Sequence, residues 1–203
     1  MERILAASRE AIRSRGRFLM VLAGGTTPRP VYRALRSVDA DWDRWRLFLG
    51  DERCVPEGSP ERNDRMVREC LLDHVPIGPE GFLGPPAELG AREAACRYTE
   101  ALQDVPTFDV VLLGLGEDGH TASLFPGDDA ALAADAPAAV PVLEAPKPPL
   151  ERVSLSAQRL NDARLAMFLV GEGKERALAR LRRGDPIPAA AVQAQERCIV
   201  ELV

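Results

Sequence analysis

Histidine and lysine are scarce in this 203-residue chain: His74 and His120 are the two histidines, Lys147 and Lys174 the two lysines. Cysteine is sparse too, and Cys54, Cys70, Cys96 and Cys198 are never spaced as Cys-x-x-Cys. These shortages argue against a catalytic metal, a zinc ribbon or a disulfide framework, and fit a reducing cytoplasm. No run of about 18 apolar residues is present, so no membrane span is expected. The opening residues, Met1 to Ile4, lack the charged-then-apolar pattern of a secretory signal. A basic excess is missing as well: 26 Lys and Arg face 31 Asp and Glu, the net charge is −5 and the pI about 5.2. That argues against nucleic acid as a partner. It leaves room for a small anion, because a few basic side chains can converge locally. Since nearly all the basic residues are arginine and alanine is abundant, the arginine content reads as a composition bias rather than as chemistry.

What remains is ordinary for a globular protein: 46% hydrophobic and 28% charged residues. The length suits a single domain over residues 1–203, long enough to bury a core unaided. No internal repeat is seen. Helices are expected over 2–14, 29–37, 63–73, 88–104 and 172–182, with Thr27 as N-cap and Pro28 at the first position of the second. Apolar runs predict strands at 18–22, 47–49, 108–113 and 163–170, with weaker ones at 153–155 and 197–203. Residues 50–53 are expected to close a strand as a turn. The segments 76–86 and 137–149, rich in proline, are expected to be loop and surface connection. Strands without polar alternation, separated by helices, predict a three-layer α/β/α domain with a mostly parallel, Rossmann-like sheet. Ligands then bind beyond the carboxyl ends of the strands.

Each of those ends carries polar chemistry. After the first stand Gly24, Gly25, Thr26 and Thr27, where bare backbone amides, hydroxyls and a following helix could cradle a phosphate, though a tight turn explains them equally well. Asp51, Glu52 and Arg53 follow the second; taken alone, a solvated loop accounts for them. The run Gly114 to Pro126 follows the third. Its glycines at 114, 116 and 119 match G-x-G-x-x-G, but a histidine and then a proline replace the long helix that a dinucleotide site needs. Asp118 and His120 flank a glycine there, a pair able to act as orienting carboxylate and general base. Arg152 and Lys174 mark two further segments. The Walker spacing, the G-x-S-x-G elbow and the H-E-x-x-H helix are absent.

Three blocks, Ala23 to Pro28, Asp51 to Pro56 with Asn63, and Gly114 to Pro126, resemble the 6-phosphogluconolactonase family in order and spacing, and the resemblance runs over nearly the whole chain. That family is similar in fold to glucosamine-6-phosphate deaminase, whose sequences carry a related Asp-Gly-His turn without the following Ser-Leu-Phe-Pro. The resemblance implies hydrolysis of 6-phosphoglucono-δ-lactone in the pentose phosphate pathway, without metal or organic cofactor. It implies His120 as general base, with Asp118 orienting it. The phosphorylated lactone would be held by Gly24, Gly25, Thr26, Thr27, Asp51, Arg53, Arg152 and Lys174. A monomer is expected. Three other readings compete. One is an amino-sugar-phosphate isomerase or deaminase with Asp51 as base. The others are a non-catalytic sugar-phosphate sensor and a dinucleotide enzyme.

Overall fold

In the computed structural model, which describes residues 1–203, helix α1 (Glu2–Arg15) leads into strand β1 (Phe18–Leu22), and α2 (Arg29–Leu35) returns to β2 (Trp45–Leu49). Then follow β3 (Asp51–Arg53), α3 (Asn63–Cys70), β4 (Phe82–Leu83), α4 (Ala91–Ala101) and β5 (Phe108–Gly114). The rest comprises α5 (Asp129–Leu132), β6 (Ala139–Val142), β7 (Arg152–Leu155), α6 (Ala157–Asn161), β8 (Ala163–Val170), α7 (Glu175–Arg183) and β9 (Arg197–Leu202). No helix is long and apolar enough to cross a membrane.

Six strands form one parallel sheet in the order β4-β2-β1-β5-β8-β9. Its central strand β1 is apolar and buried throughout because both faces are covered. Phe18, Met20 and Leu22 point to the layer of α1, α2 and α3, where they meet Ile4, Tyr32, Leu35 and Val67. Leu19 and Val21 point the other way, into a second core with Tyr98, Leu160 and Leu178. Side chains that alternate across a strand explain this division. Each fully buried Leu or Phe contributes about 1.5–3 kcal/mol by leaving water. The three-layer α/β reading of the sequence therefore holds.

Three expectations are corrected. Residues 51–53 are not a turn but a strand, which pairs antiparallel with β7 (Asp51 opposite Ser154, Arg53 opposite Arg152). Residues 139–142 lie inside the proline-rich stretch expected to be irregular, yet pair antiparallel with β7. Pro141 fits there because β6 is the edge of the three-stranded sheet β3-β7-β6, where a missing N–H is tolerated. The segment 153–155 thus belongs to this second sheet and not to the parallel one. Gly50 joins the two sheets: its amide donates to the Leu22 carbonyl (3.0 Å) and its carbonyl accepts from Leu155 (2.8 Å).

Smaller differences concern ends. The second helix stops at Leu35, and Thr27 makes no capping bond; Pro28 stands at the cap. Strand β4 interrupts the expected loop 76–86. The last helix starts at Glu175, leaving Lys174 at its N-cap position.

Candidate active site

The carboxyl ends of β1, β2 and β5 open into a cleft of about 630 Å³. Its floor is fixed by two buried tyrosines whose hydroxyls donate to the Ala23 carbonyl (Tyr32, 2.8 Å) and the Leu49 carbonyl (Tyr98, 2.9 Å). Gly24, Gly25, Thr26, Thr27, Asp51, Arg53, Asp118, His120, Arg152 and Lys174 all line this one cleft. Residues separated by as much as 150 positions thus meet because the parallel strands end together and the small sheet folds across them.

The turn after β5 is built around the imidazole. The Gly116 amide donates to the His120 carbonyl (2.8 Å), and the Thr121 hydroxyl donates to the Gly114 carbonyl (2.8 Å). A Cβ on Gly116 would lie 2.1 Å from His120 Nδ1, so only glycine lets the ring lie there. Asp118 Oδ1 accepts from the His120 amide (3.0 Å) and pairs with His120 Nδ1 at 2.6 Å. Holding Nδ1 in this way leaves Nε2 as the nitrogen able to take a proton. The ring packs on Phe125, centroids 4.8 Å apart, and its side chain keeps 33% exposure, enough for water to reach it. Burial pushes the Asp118 carboxyl up, but the hydrogen bonds from the His120 amide and ring outweigh it and hold it below the usual range. The glycine motif of this turn opens no long helix; the next helix is the four-residue α5. The dinucleotide reading therefore lacks the helix on which its pyrophosphate would rest.

The opposite wall is organised by three consecutive residues. Asp51 is buried and accepts from the Ser123 hydroxyl (2.6 Å) and the Asn63 side-chain amide (3.3 Å). Ser123 is thereby engaged as a donor. Glu52 is fully buried and accepts from three amides: Arg53 (2.7 Å), Asn63 (2.7 Å) and Asp64 (2.8 Å). It ties the start of α3 to β3. Arg53 then points back to the cleft, with one Nη donating to the Glu61 carbonyl (2.5 Å) and a buried Nε that has no protein partner.

Across from them, Arg152 spends Nε on the Pro149 carbonyl (3.0 Å) and Nη2 on the Lys147 carbonyl (2.9 Å), leaving Nη1 free. Its guanidinium lies 5.5 Å from the Phe125 ring centre. Lys174 Nζ pairs with Glu117 at 2.9 Å. The amides of Gly24, Gly25, Thr26 and Thr27 donate to no protein acceptor, so they remain available to an anion. The cleft can therefore offer a base on one side and four backbone donors plus several cations around it.

The family model for glucosamine-6-phosphate isomerases/6-phosphogluconolactonase matches residues 1–200. The chain belongs to this family. It is 36% identical over 207 residues to the 6-phosphogluconolactonase of Mycobacterium leprae, covering 93% of this chain and 83% of that one. It is 36% identical over 195 residues to the human 6-phosphogluconolactonase, covering 89% and 75% of the two chains. The crystal structure of 6-phosphogluconolactonase from Thermotoga maritima superposes with a TM-score of 0.92 at 28% identity, covering 99% of this chain and 92% of that one.

For a chain of the 6-phosphogluconolactonase family, several lining residues fall outside the candidate set drawn from sequence, Asn63 and Lys147 among them. Asn63, quoted above only as part of a motif, packs so close to Gly24 that a Cβ there would lie 2.2 Å from its Oδ1. Lys147 enters from the β6–β7 hairpin. Its position depended on a strand that the prolines concealed. The available signal was compositional, since Lys147 is one of the chain's two lysines.

Proposed function

We propose that this protein hydrolyses 6-phospho-D-glucono-1,5-lactone to 6-phospho-D-gluconate, with His120 as the general base. The observation that carries this reading is the Asp118–His120 pair, held at 2.6 Å on the rim of a cleft lined by Arg53, Arg152 and Lys174. Family membership and the lactonase names of the relatives support the reaction.

In this mechanism Nε2 of His120 removes a proton from water as the oxygen attacks the lactone carbonyl. The carbonyl π pair moves onto oxygen, forming a tetrahedral oxyanion. When that pair returns, the bond to the ring oxygen breaks and the imidazolium gives its proton to the leaving oxygen, which becomes a hydroxyl. Asp118 fixes the tautomer and stabilises the imidazolium. The amides of Gly116 and Gly119 are occupied within the turn, by the carbonyls of His120 and Gly116, so oxyanion donors are to be sought elsewhere on the rim. The phosphoryl group, remote from the carbonyl, is held by the free amides of residues 24–27 with Arg53, Arg152 and Lys174, and keeps the ring in register.

The test is hydrolysis of freshly generated 6-phosphogluconolactone, followed against its spontaneous decay, with ammonia release from glucosamine 6-phosphate as the contrasting assay. His120→Ala should lower kcat by about 10²–10⁴-fold with a much smaller change in KM. Near-normal turnover in that variant removes His120 from the role.

A further inference from the structure

The two lysines of this chain are the starting point. In a sequence that uses arginine for nearly every basic position, both Lys147 and Lys174 line the same cleft. The two ammonium groups differ from arginine in kind: each is a compact charge on a flexible stem with three rotatable donors, suited to following a tetrahedral anion as it settles.

Lys147 sits at the tip of the β6–β7 hairpin, and its backbone is unusually well restrained for an exposed residue. Arg152 Nη2 donates to the Lys147 carbonyl and Arg152 Nε to the Pro149 carbonyl. The Ala145 amide closes the hairpin on the Leu150 carbonyl (2.9 Å). Pro146 and Pro148 flank Lys147 and limit its backbone freedom. Ala145 and Val142 pack against Phe125, the residue on which the His120 ring lies. The hairpin is thus docked on the wall that carries the imidazole, and its lysine is the one side chain at the tip able to bring charge into the cleft. Across the opening stands the pair Lys174–Glu117, and the Lys147 charge is near enough to help hold the Glu117 carboxyl below its usual range, after the larger effect of Lys174.

We propose that Lys147 is a specificity-determining residue, whose ammonium joins Lys174 in gripping the phosphoryl group of the substrate from the hairpin side of the cleft, with Arg152 as the residue that aims it. This rests on the phosphorylated-lactone reading above. It gives Arg152 a second duty besides its free Nη1, as the brace of the loop.

The test uses Lys147→Ala and Lys147→Arg in the full chain. Because Lys147 is exposed, both variants should fold, which the melting temperature checks. With 6-phosphogluconolactone, Lys147→Ala should raise KM about tenfold, the loss of one charge-assisted contact, with kcat nearly constant. The unphosphorylated glucono-1,5-lactone should lose far less, and Lys147→Arg should recover part of the affinity. Equal losses for both lactones, or an unchanged KM for the phosphorylated one, overturn the proposal. Binding of inorganic phosphate, titrated calorimetrically, separates it from the catalytic reading. If the protein hydrolyses neither lactone but Lys147→Ala still weakens phosphate binding, the lactonase reading fails and the role of Lys147 stands. If phosphate binds equally to both proteins, or to neither, the role of Lys147 fails.

Discussion

At the scale of single residues, the work of Asp118 can be separated from that of the imidazole it holds. Asp118 makes two bonds to the same residue, one to the backbone amide and one to the ring. Asn could keep the first, and could accept from Nδ1–H through its oxygen, but it cannot stabilise a charged imidazole. The Asp118→Asn variant should therefore bind substrate with nearly the same KM and lose kcat by about ten- to a hundredfold, part of what general-base catalysis supplies. A fall in kcat of less than twofold would show that the carboxylate only shapes the turn. The sign of its titration matters for the pH profile. Asp118 is held below the ordinary carboxylate range in the folded protein. Its stabilising contribution is thus complete above the unfolded value and is lost only as pH falls through the lowered one. Near neutrality Asp118 therefore stays ionised.

At the scale of elements, β3 and α3 are joined by one carboxylate. Glu52 accepts the amides of Asn63 and Asp64 at the helix start and of Arg53 in the strand, and Arg62 Nε lies 3.8 Å away. Burial is nonetheless the larger influence, and it pushes the Glu52 carboxyl up to about 7. A folded-state value above the unfolded one means that protonation favours the fold. The contribution is fully present below the unfolded value of about 4.5 and is lost as pH rises through about 7. Glu52→Gln, which cannot ionise, should melt lower than the parent at pH 5, because its amide group faces backbone donors. The deficit should shrink as pH rises to 8. A gap in melting temperature that stays constant across this range, measured by calorimetry, would show that Glu52 does not titrate there. This joint also marks where the sequence was hard to read. Strand β5, Phe108–Gly114, announces itself because seven residues covered on both faces must be apolar or glycine but for Asp109. The three residues of β3 are Asp, Glu and Arg, and β6 contains a proline. Such strands exist through their pairing with β7, which is distant in the chain, and local composition does not report a partner. The turn of Asp118 and His120 was legible because its glycines and its place at a strand end are local; Lys147 was not, because its place depends on that pairing.

At the scale of the whole molecule, the chain is acidic while the cleft is not. Arg53, Lys147, Arg152 and Lys174 face Asp51, Glu117 and Asp118 around one opening, in a protein of net charge −5. A dianionic substrate therefore meets two opposed influences. The net charge acts from roughly 20 Å, where each unit charge in water is worth about 0.2 kcal/mol before screening. A cation at about 4 Å near a protein surface is worth about 4 kcal/mol. The local cations therefore win, and salt should weaken binding rather than relieve repulsion, because the distant charges already lie beyond a Debye length of about 10 Å at 0.1 M salt. Between about 0.05 and 0.5 M sodium chloride, KM for 6-phosphogluconolactone should rise severalfold while kcat stays constant, and KM for glucono-1,5-lactone should barely move. A KM for the phosphorylated lactone that falls as salt is added would mean that the acidic surface governs the encounter, and would overturn the proposal that the cleft's cations and free backbone amides hold the phosphoryl group.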